Sequence, residues 1–367
     1  MTKIIINEYE PDVVSSPGET LLETIEFLGM SQAELAIRIN RPLKTINEII
    51  KGKTAITRDT AIQLEMVFGV SASFWMNRQQ HYDEYLARVS AKEELEKNIQ
   101  WMKLFPLNEM IKLGWIDKHR DKVTQYRELL NFLGVVSPEA WENYQRKYQP
   151  SLRKSRKFDV DRYSLAAWLR KGELVAQRIE CKPYNRVKFK DILNEICKLT
   201  VMKPDIFLSK MMDMCIESGV AFAIIPELPK IRVSGVAYWM TPEKAFIQLS
   251  LRYKTDDQFW FSFFHEAAHI LQDLKRSVFV DDDKEGDSEI ERDADRIAAN
   301  LLIPPSEFNE FVNNGDFSVK AFLRFARRLG IAPGIVVGQL QHRGNLGWHQ
   351  FNEMKLKLEL GDIRCNS

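Results

Sequence analysis

Apolar residues recur at helical spacing through most of the chain and change period in one region near residue 220. Pro17 and Gly18 precede Leu21, Leu22, Ile25 and Leu28, which share one helix face, and Gly29 ends the element. Ser31, followed by Glu34, forms the S-x-x-E of a capping box and opens a second helix with Leu35, Ala36 and Ile39 inward. The short connection Asn40-Arg41-Pro42 leads to a third, with Leu43, Ile46, Ile49 and Ile50 as its apolar positions. Thr57 or Asp59 starts a fourth, with Ala61, Leu64 and Phe68 inward. The pattern next predicts one long helix over 84–105, broken at Phe105-Pro106. Amphipathic helices stopped by Gly114 and Gly134 follow, then one capped by Ser137 with Pro138 in its first turn.

Two further helices are predicted over 161–179 and 189–200, and another over Ile206–Glu217 with Gly219 as its stop. The period then shifts. VAFAIIPEL, VSGVAYWM and KAFIQLSL are short runs rich in β-branched and aromatic residues, separated by Pro and Gly, and predict three strands. A largely apolar helix over Phe259–Asp273 follows, then an acidic loop, DDDKEGDS, over Asp281–Ser288, then a helix over EIERDADRIAANLLIPPSEF. The expected fold is mainly α with a small β-sheet, an α+β chain. Its expected parts are 1–88, a helical spacer over 89–200, a chemistry-bearing domain over 201–350, and a tail over 351–367.

Composition narrows this little. The chain has 367 residues, 45% hydrophobic and 28% charged, with a formal net charge of +1. No global charge points to nucleic acid or membrane, so any such patch must be local. No apolar run approaches the ~18 residues of a membrane span. The four cysteines (Cys181, Cys197, Cys215, Cys365) form no C-x-x-C pair, and the N-terminus lacks the order of a secretory signal. Reduced thiols in a cytoplasm are the expectation. The basic run Leu152–Lys157 (LRKSRK) reads as a solvated linker.

Chemistry concentrates in FWFSFFHEAAHILQD, where His265, Glu266 and His269 form H-E-x-x-H. Four residues of helix advance about 400° and rise ~6 Å, so both imidazoles share one face and one Zn²⁺. Glu266 is set beside the metal, as a general base for water. Chance places such a triplet in a chain of this length about 1% of the time, and a buried helix makes an unpartnered set costlier still. A catalytic zinc with three protein ligands keeps a fourth position open. The third-ligand candidates are Glu291, with Asp293 and Glu289 as rivals. Glu291 is preferred, because Asp295 then lies one turn on along the same face, where it can hydrogen-bond a ligating histidine.

The second and third helices form a helix-turn-helix, whose second member presents its N-terminal residues to the major groove. Those are Lys44, Thr45 and Asn47; Asn47 suits adenine and Lys44 a guanine or phosphate. Arg41, Lys51, Lys53 and Arg58 suit phosphates. Across Arg38–Arg58 six basic residues face one acid, Glu48.

Residues 16–83 resemble the Cro/C1-type DNA-binding domain of the HigA/VapI antitoxin family, through SQ-x-E-L-A, N-x-I-I-K-G-K, I-T-R-D-T-A-I-Q-L and F-W-M-N-x-Q. Pro42 departs from the family's usual small polar residue and removes one phosphate-binding N–H. The resemblance implies a five-helix, lambda-repressor-like domain that binds double-stranded operator DNA as a homodimer and represses its own promoter with a toxin partner. HEAAHIL with ERDADRIAANLLIP resembles the ImmA/IrrE metallopeptidases, over roughly residues 165–348. That implies a small gluzincin-like zinc domain, whose relatives cleave, or promote loss of, transcriptional repressors. Asp295 stands where many members carry Asn. His342, in QLQHRG, is a candidate for stabilising an oxyanion.

The expectation is a cytoplasmic regulator that docks on DNA and cleaves a protein partner through His265, His269, Glu291 and Glu266, with Zn²⁺ as cofactor. The alternative is a non-catalytic antitoxin-type autorepressor whose metalloprotease fold is a scaffold or stress sensor.

Overall fold

The computed structural model describes residues 14–148, 161–250, 252, 254–272, 279–282 and 289–358. The run Leu152–Lys157, residues 283–288 of the acidic stretch, and Cys365 lie outside them. The chain divides into two compact units, 1–98 and 99–367.

The first unit is five helices: α1 (Pro17–Phe27), α2 (Gln32–Arg38), α3 (Leu43–Ile50), α4 (Arg58–Phe68) and α5 (Ala72–Asn98). Three starts are capped by hydroxyls. Ser16, Ser31 and Thr57 accept from the amides of Glu19, Glu34 and Thr60 at 3.2, 3.1 and 3.3 Å. The core is Leu21, Ile25, Leu35, Ile39, Ile46, Ile49, Ile56, Leu64 and Trp75. Gly18 brings α1 directly onto the end of α3: a Cβ there would lie 2.1 Å from the Ile49 carbonyl oxygen. Two expected core positions are exposed, Leu28 at 49% and Leu43 at 45%. Each sits at an end of its helix, where the buried stripe has run out. The long helix expected through Phe105 ends at Asn98, and a 3₁₀ segment, Ile99–Leu104, replaces its last turns.

The second unit begins with α6 (Leu107–Lys112), α7 (Lys122–Leu133) and α8 (Pro138–Tyr148). Then come α9 (Arg162–Arg178), α10 (Arg186–Cys197) and α11 (Pro204–Glu217). The sheet is β1 (Val220–Ile224), β2 (Val233–Thr241), β3 (Lys244–Leu249) and β4 (Phe279–Asp282), in the order β1-β3-β2-β4. β1 runs parallel to β3, and both other pairings are antiparallel. The sequence pattern predicts three strands; the fourth comes from the stretch that reads as an acidic loop, and Asp281 and Asp282 belong to it.

β1 is buried at every position, which requires cover on both faces. On one side α9 is tied to the sheet: Trp168 Nε1 donates to the Ile225 carbonyl at 3.0 Å, and Gln248 Nε2 donates to the Trp168 carbonyl at 2.9 Å. On the other lies the motif helix, α12 (Asp256–Leu271). It is buried nearly all round, its polar residues included, as a helix central to a core is. Phe259, Trp260, Phe263 and Phe264 fill the core with Phe207, Phe222 and Leu249. Four helices complete the unit: α13 (Glu289–Leu302), α14 (Pro305–Asn314), α15 (Val319–Leu329) and α16 (Pro333–His342). The single helix expected over 289–308 is two, because Pro304 and Pro305 separate α13 from α14. Among the described residues, no helix is long and apolar enough to cross a membrane.

Candidate functional site

Helices α12 and α13 lie against each other through small residues. Ala267 and Ala268 on one, and Ala294 and Ala298 on the other, are all fully buried. Side chains of this size let two helix axes approach closely. The approach sets Glu291, in the first turn of α13, opposite the paired imidazoles.

His265 Nε2 is 3.1 Å from His269 Nε2 and 3.2 Å from Glu291 Oε2; His269 Nε2 is 3.4 Å from the same oxygen. Ligands around zinc at ~2.0–2.1 Å in tetrahedral geometry stand about 3.3 Å apart. The three edges match that spacing, so the donor set fits a tetrahedral ion with one position left over. Nitrogen and oxygen donors in this combination also suit Zn²⁺ chemically. Among the described residues this is the group of His, Cys, Asp and Glu with metal-ligand geometry.

Behind the triangle, His265 Nδ1 lies 2.8 Å from Asp295 Oδ1. An ionised carboxylate only accepts, so a ring proton sits on Nδ1, and Nε2 is the nitrogen turned to Glu291. Both histidines are 3% exposed. Burial alone would raise the Glu291 carboxyl, but hydrogen bonds and charge from His265 and His269 bring it down to about 2. Glu291 is therefore held as the anion a ligand must be.

The rival acids face elsewhere. Asp293 pairs with Arg296 at 2.8 Å on the outer side of α13, and Glu289 is exposed. Glu266 is fully buried beside the triangle. Strand β2 passes over it at Gly235, where a Cβ would come within 2.8 Å of Glu266 Cγ and Oε1. His342 ends α16 and is exposed. Its ring lies 5.7 Å from that of Phe261, which in turn lies 6.2 Å from that of His265. Phe261 thus stands in ring contact with both His342 and His265.

Sequence reasoning missed two features of this region. Ser262 and Gln258 stand on the Glu266 stripe of an otherwise apolar helix, which is a polar signal legible only once the stripe is known to be lined by a recess. The other is a buried ion pair, Lys355 Nζ to Asp257 Oδ2 at 2.7 Å, which ties the segment after α16 to the start of the motif helix.

On the first unit, α3 offers Lys44, whose side chain is 85% exposed, with Thr45 and Asn47 half-buried beside it. Pro42 is the residue just before the helix, extended and without a side-chain cap, so no cap competes for the first amides. Lys51, Lys53 and Arg58 are exposed around the end of α3 and the start of α4. Arg41 is partly engaged: its Nε donates to Gln63 Oε1 at 3.0 Å. Lys44 is 3.8 Å from Glu48.

Residues 28–75 match the family model described as helix-turn-helix, and residues 222–340 match the peptidase-family model described as the IrrE N-terminal-like domain. Virulence-associated protein I of Dichelobacter nodosus is 39% identical over 72 residues, 19% of this chain and 67% of that protein. The uncharacterized HTH-type transcriptional regulator YddM of Escherichia coli (strain K12) is 33% identical over 63 residues, 17% of this chain and 67% of that protein. The structure of an addiction module antidote protein of a HigA family from Coxiella burnetii is 36% identical and covers 23% of this chain and 92% of that chain, with a TM-score of 0.22. The class is a helix-turn-helix regulator joined to a metallopeptidase-type domain. The chain belongs to the HigA/VapI helix-turn-helix family in its first unit and carries an ImmA/IrrE domain in its second.

Proposed function

We propose that this protein is a transcriptional regulator that docks on operator DNA as a homodimer and hydrolyses a peptide bond of a protein partner at a Zn²⁺ site. The observation that carries the hydrolase is the placement of a fully buried Glu266 beside three donors spaced 3.1, 3.2 and 3.4 Å apart. His265, His269 and Glu291 would hold the ion, and Asp295 fixes the tautomer and plane of His265. Bound there, Zn²⁺ supplies a Lewis acid for water and for the scissile carbonyl. Glu266 takes a proton from the attacking water and returns one to the leaving amine. His342, in ring contact with Phe261, is given no part in these steps.

The DNA reading rests on the row of exposed Lys44 and half-buried Thr45 and Asn47 on α3, with exposed Lys51 and Lys53 suited to phosphates. YddM, which shares this region, is named as an HTH-type transcriptional regulator. The partner on the protein side is a repressor or a toxin encoded nearby.

The test uses the full chain loaded with zinc, incubated with the purified products of neighbouring genes. Fragments are expected with the wild type and not with Glu266→Gln, which keeps its zinc. Fragments in equal yield from both proteins would end the mechanism. A chain that binds no zinc would end the metal assignment.

A further inference from the structure

From Phe317 to Asn352 the chain has no Asp or Glu, although 51 of its 367 residues are acidic. The same stretch carries five cations, Lys320, Arg324, Arg327, Arg328 and Arg343. A net charge of +1 hides this local positive field. Elsewhere exposed helix faces mix the signs: Arg88 pairs with Glu84, Lys198 with Glu195 and Arg296 with Asp293.

Four of the five cations lie on α15. The inward side of this helix is Ala321, Phe322, Phe325 and Ala326, all buried. Ser318 caps its start, accepting from the Ala321 amide at 3.3 Å, and Gly330 ends it in the left-handed region. The opposite side carries two stripes. Lys320, Arg324 and Arg327, at i, i+4 and i+7, are all exposed and form a cationic stripe ~10 Å long. Val319 and Leu323, at i and i+4, form an apolar stripe beside it and are 42% and 46% exposed.

Helix stability does not explain the cationic stripe. Arg327 and Arg328 suit the last turn, and Arg328 is paired with Glu307 at 2.5 Å. Lys320 stands in the first turn, where the helix macrodipole disfavours a cation, and that turn contains no acid. Asp316, just before the helix, shares its field with Arg324, and its carboxylate accepts from the Ser318 amide at 3.1 Å. Lys320 and Arg327 form no ion pair among the described residues.

Two kinds of partner present rows of negative charge, a phosphate backbone and an acidic protein. A phosphate backbone would leave Val319 and Leu323 in water. An amphipathic helix with acids beside its apolar row covers both stripes, because its residues repeat at the same ~6 Å steps. We infer that the outward face of α15 docks an acidic amphipathic helix of a protein partner. Its carboxylates lie on Lys320, Arg324 and Arg327, and its apolar row lies on Val319 and Leu323. This goes beyond the hydrolase reading and uses no atom of the metal cluster.

The test uses the full-length protein and a fluorescent alanine-based peptide of about 18 residues, long enough to hold a helix in water. The peptide carries Leu at i and i+4 with Glu at the flanking positions. Two counterparts carry Gln or Lys in place of Glu, and a duplex DNA of unrelated sequence is the fourth probe. The Glu peptide should bind at least tenfold tighter than the Gln peptide, and less tightly as salt rises. Lys320→Glu with Arg324→Glu and Arg327→Glu should remove that preference and bind the Lys peptide instead, a gain that a misfolded chain would not show. Leu323→Ser should weaken the Glu and Gln peptides alike, severalfold.

Equal affinity of the wild type for the Glu and Gln peptides, or a preference that survives the triple substitution, would overturn the docking face. Without a peptide preference, loss of DNA affinity in the triple variant, with the slope of log K against log salt lower by about 3, would assign the stripe to phosphates instead. Cleavage is read separately with native Glu266. A peptide that docks uncut counts for the docking face, and one cut without charge preference counts against it.

Discussion

Asp295 Oδ1 lies 2.8 Å from His265 Nδ1, one imidazole's width behind the nitrogen that faces Glu291. The contact fixes which ring nitrogen carries the proton, so it sets the ring's readiness to bind metal. Asp295→Ala should weaken zinc binding by roughly 10–100-fold, the range typical of such supporting contacts. Asp295→Asn should be milder, because an amide oxygen still accepts from Nδ1–H. Competition with a chromophoric chelator measures both. Equal loss in the two variants would mean that charge, and not the hydrogen bond, is what matters.

Gly235 is where β2 meets Glu266. A Cβ there would stand 2.8 Å from Glu266 Cγ and Oε1 and 2.7 Å from Leu249 Cδ2. Contacts that short force something to move, and both neighbours are fully buried. Gly235→Ala should cost about 1–3 kcal/mol of stability, the usual cost of overpacking. Cleavage should fall at least a hundredfold by displacement of the base, while zinc content stays the same. Urea denaturation, metal analysis and peptide hydrolysis separate the three readouts. Hydrolysis at the wild-type rate would show that Glu266 tolerates the shift.

Much of this was legible in the sequence, for a physical reason. Helical spacing puts His265 and His269 on one face, and the E-x-x-x-D interval puts Glu291 and Asp295 on another. The cores of α1 to α4 follow the same rule at Leu21, Ile25, Leu35, Ile46 and Leu64. What the periodicity misses depends on neighbours. Leu43 belongs to the apolar set of α3 yet is 45% exposed, because it starts the helix beyond the reach of the bundle. Strand β4 forms by pairing with β2 and not by its own propensity, so a run containing Asp281 and Asp282 reads as a loop. The recess combines Ser234 with Ser262, 28 positions apart, and no spacing rule connects a strand to a helix across a core.

Lys44 and Glu48 face each other at 3.8 Å on α3, with side chains 85% and 37% exposed. So exposed a pair contributes little to stability, but Glu48 opposes the approach of phosphates. Glu48→Gln should tighten binding to the protein's own upstream DNA severalfold and leave its sequence preference intact. Lys44→Ala with Asn47→Ala should abolish that preference. Lys51→Ala should weaken binding to all sequences alike and lower the slope of log K against log salt by about 1. Fluorescence anisotropy at several salt concentrations reads all three. Retained preference in the Lys44/Asn47 double variant would show that α3 is not the reading helix.

Asp256 begins the motif helix, and its Oδ1 accepts from the amides of Leu356 and Asp257 at 3.0 and 2.9 Å. It is 4% exposed. Burial and the adjacent Asp257 push its carboxyl from 3.8 up to about 6, against the lowering effect of those amides. Other charged groups packed nearby are Asp257 and its partner Lys355, which also donates to Gln341 Oε1 at 2.7 Å. Between pH 4 and 6 the folded chain therefore holds a proton on Asp256 that the unfolded chain has released. Where the folded state binds more protons, stability falls as pH rises. Asp256 should contribute a decline across that window on the order of 2–3 kcal/mol, level above it. Asn keeps an oxygen that accepts from both amides but cannot ionise, so Asp256→Asn should be more stable than the wild type at pH 7 and lose this part of the slope. Urea midpoints taken for both proteins from pH 4 to 7 test it, because titration of the histidines is common to the two curves and cancels in their difference. A difference that stays constant across the window would mean that Asp256 titrates alike in the folded and unfolded chains.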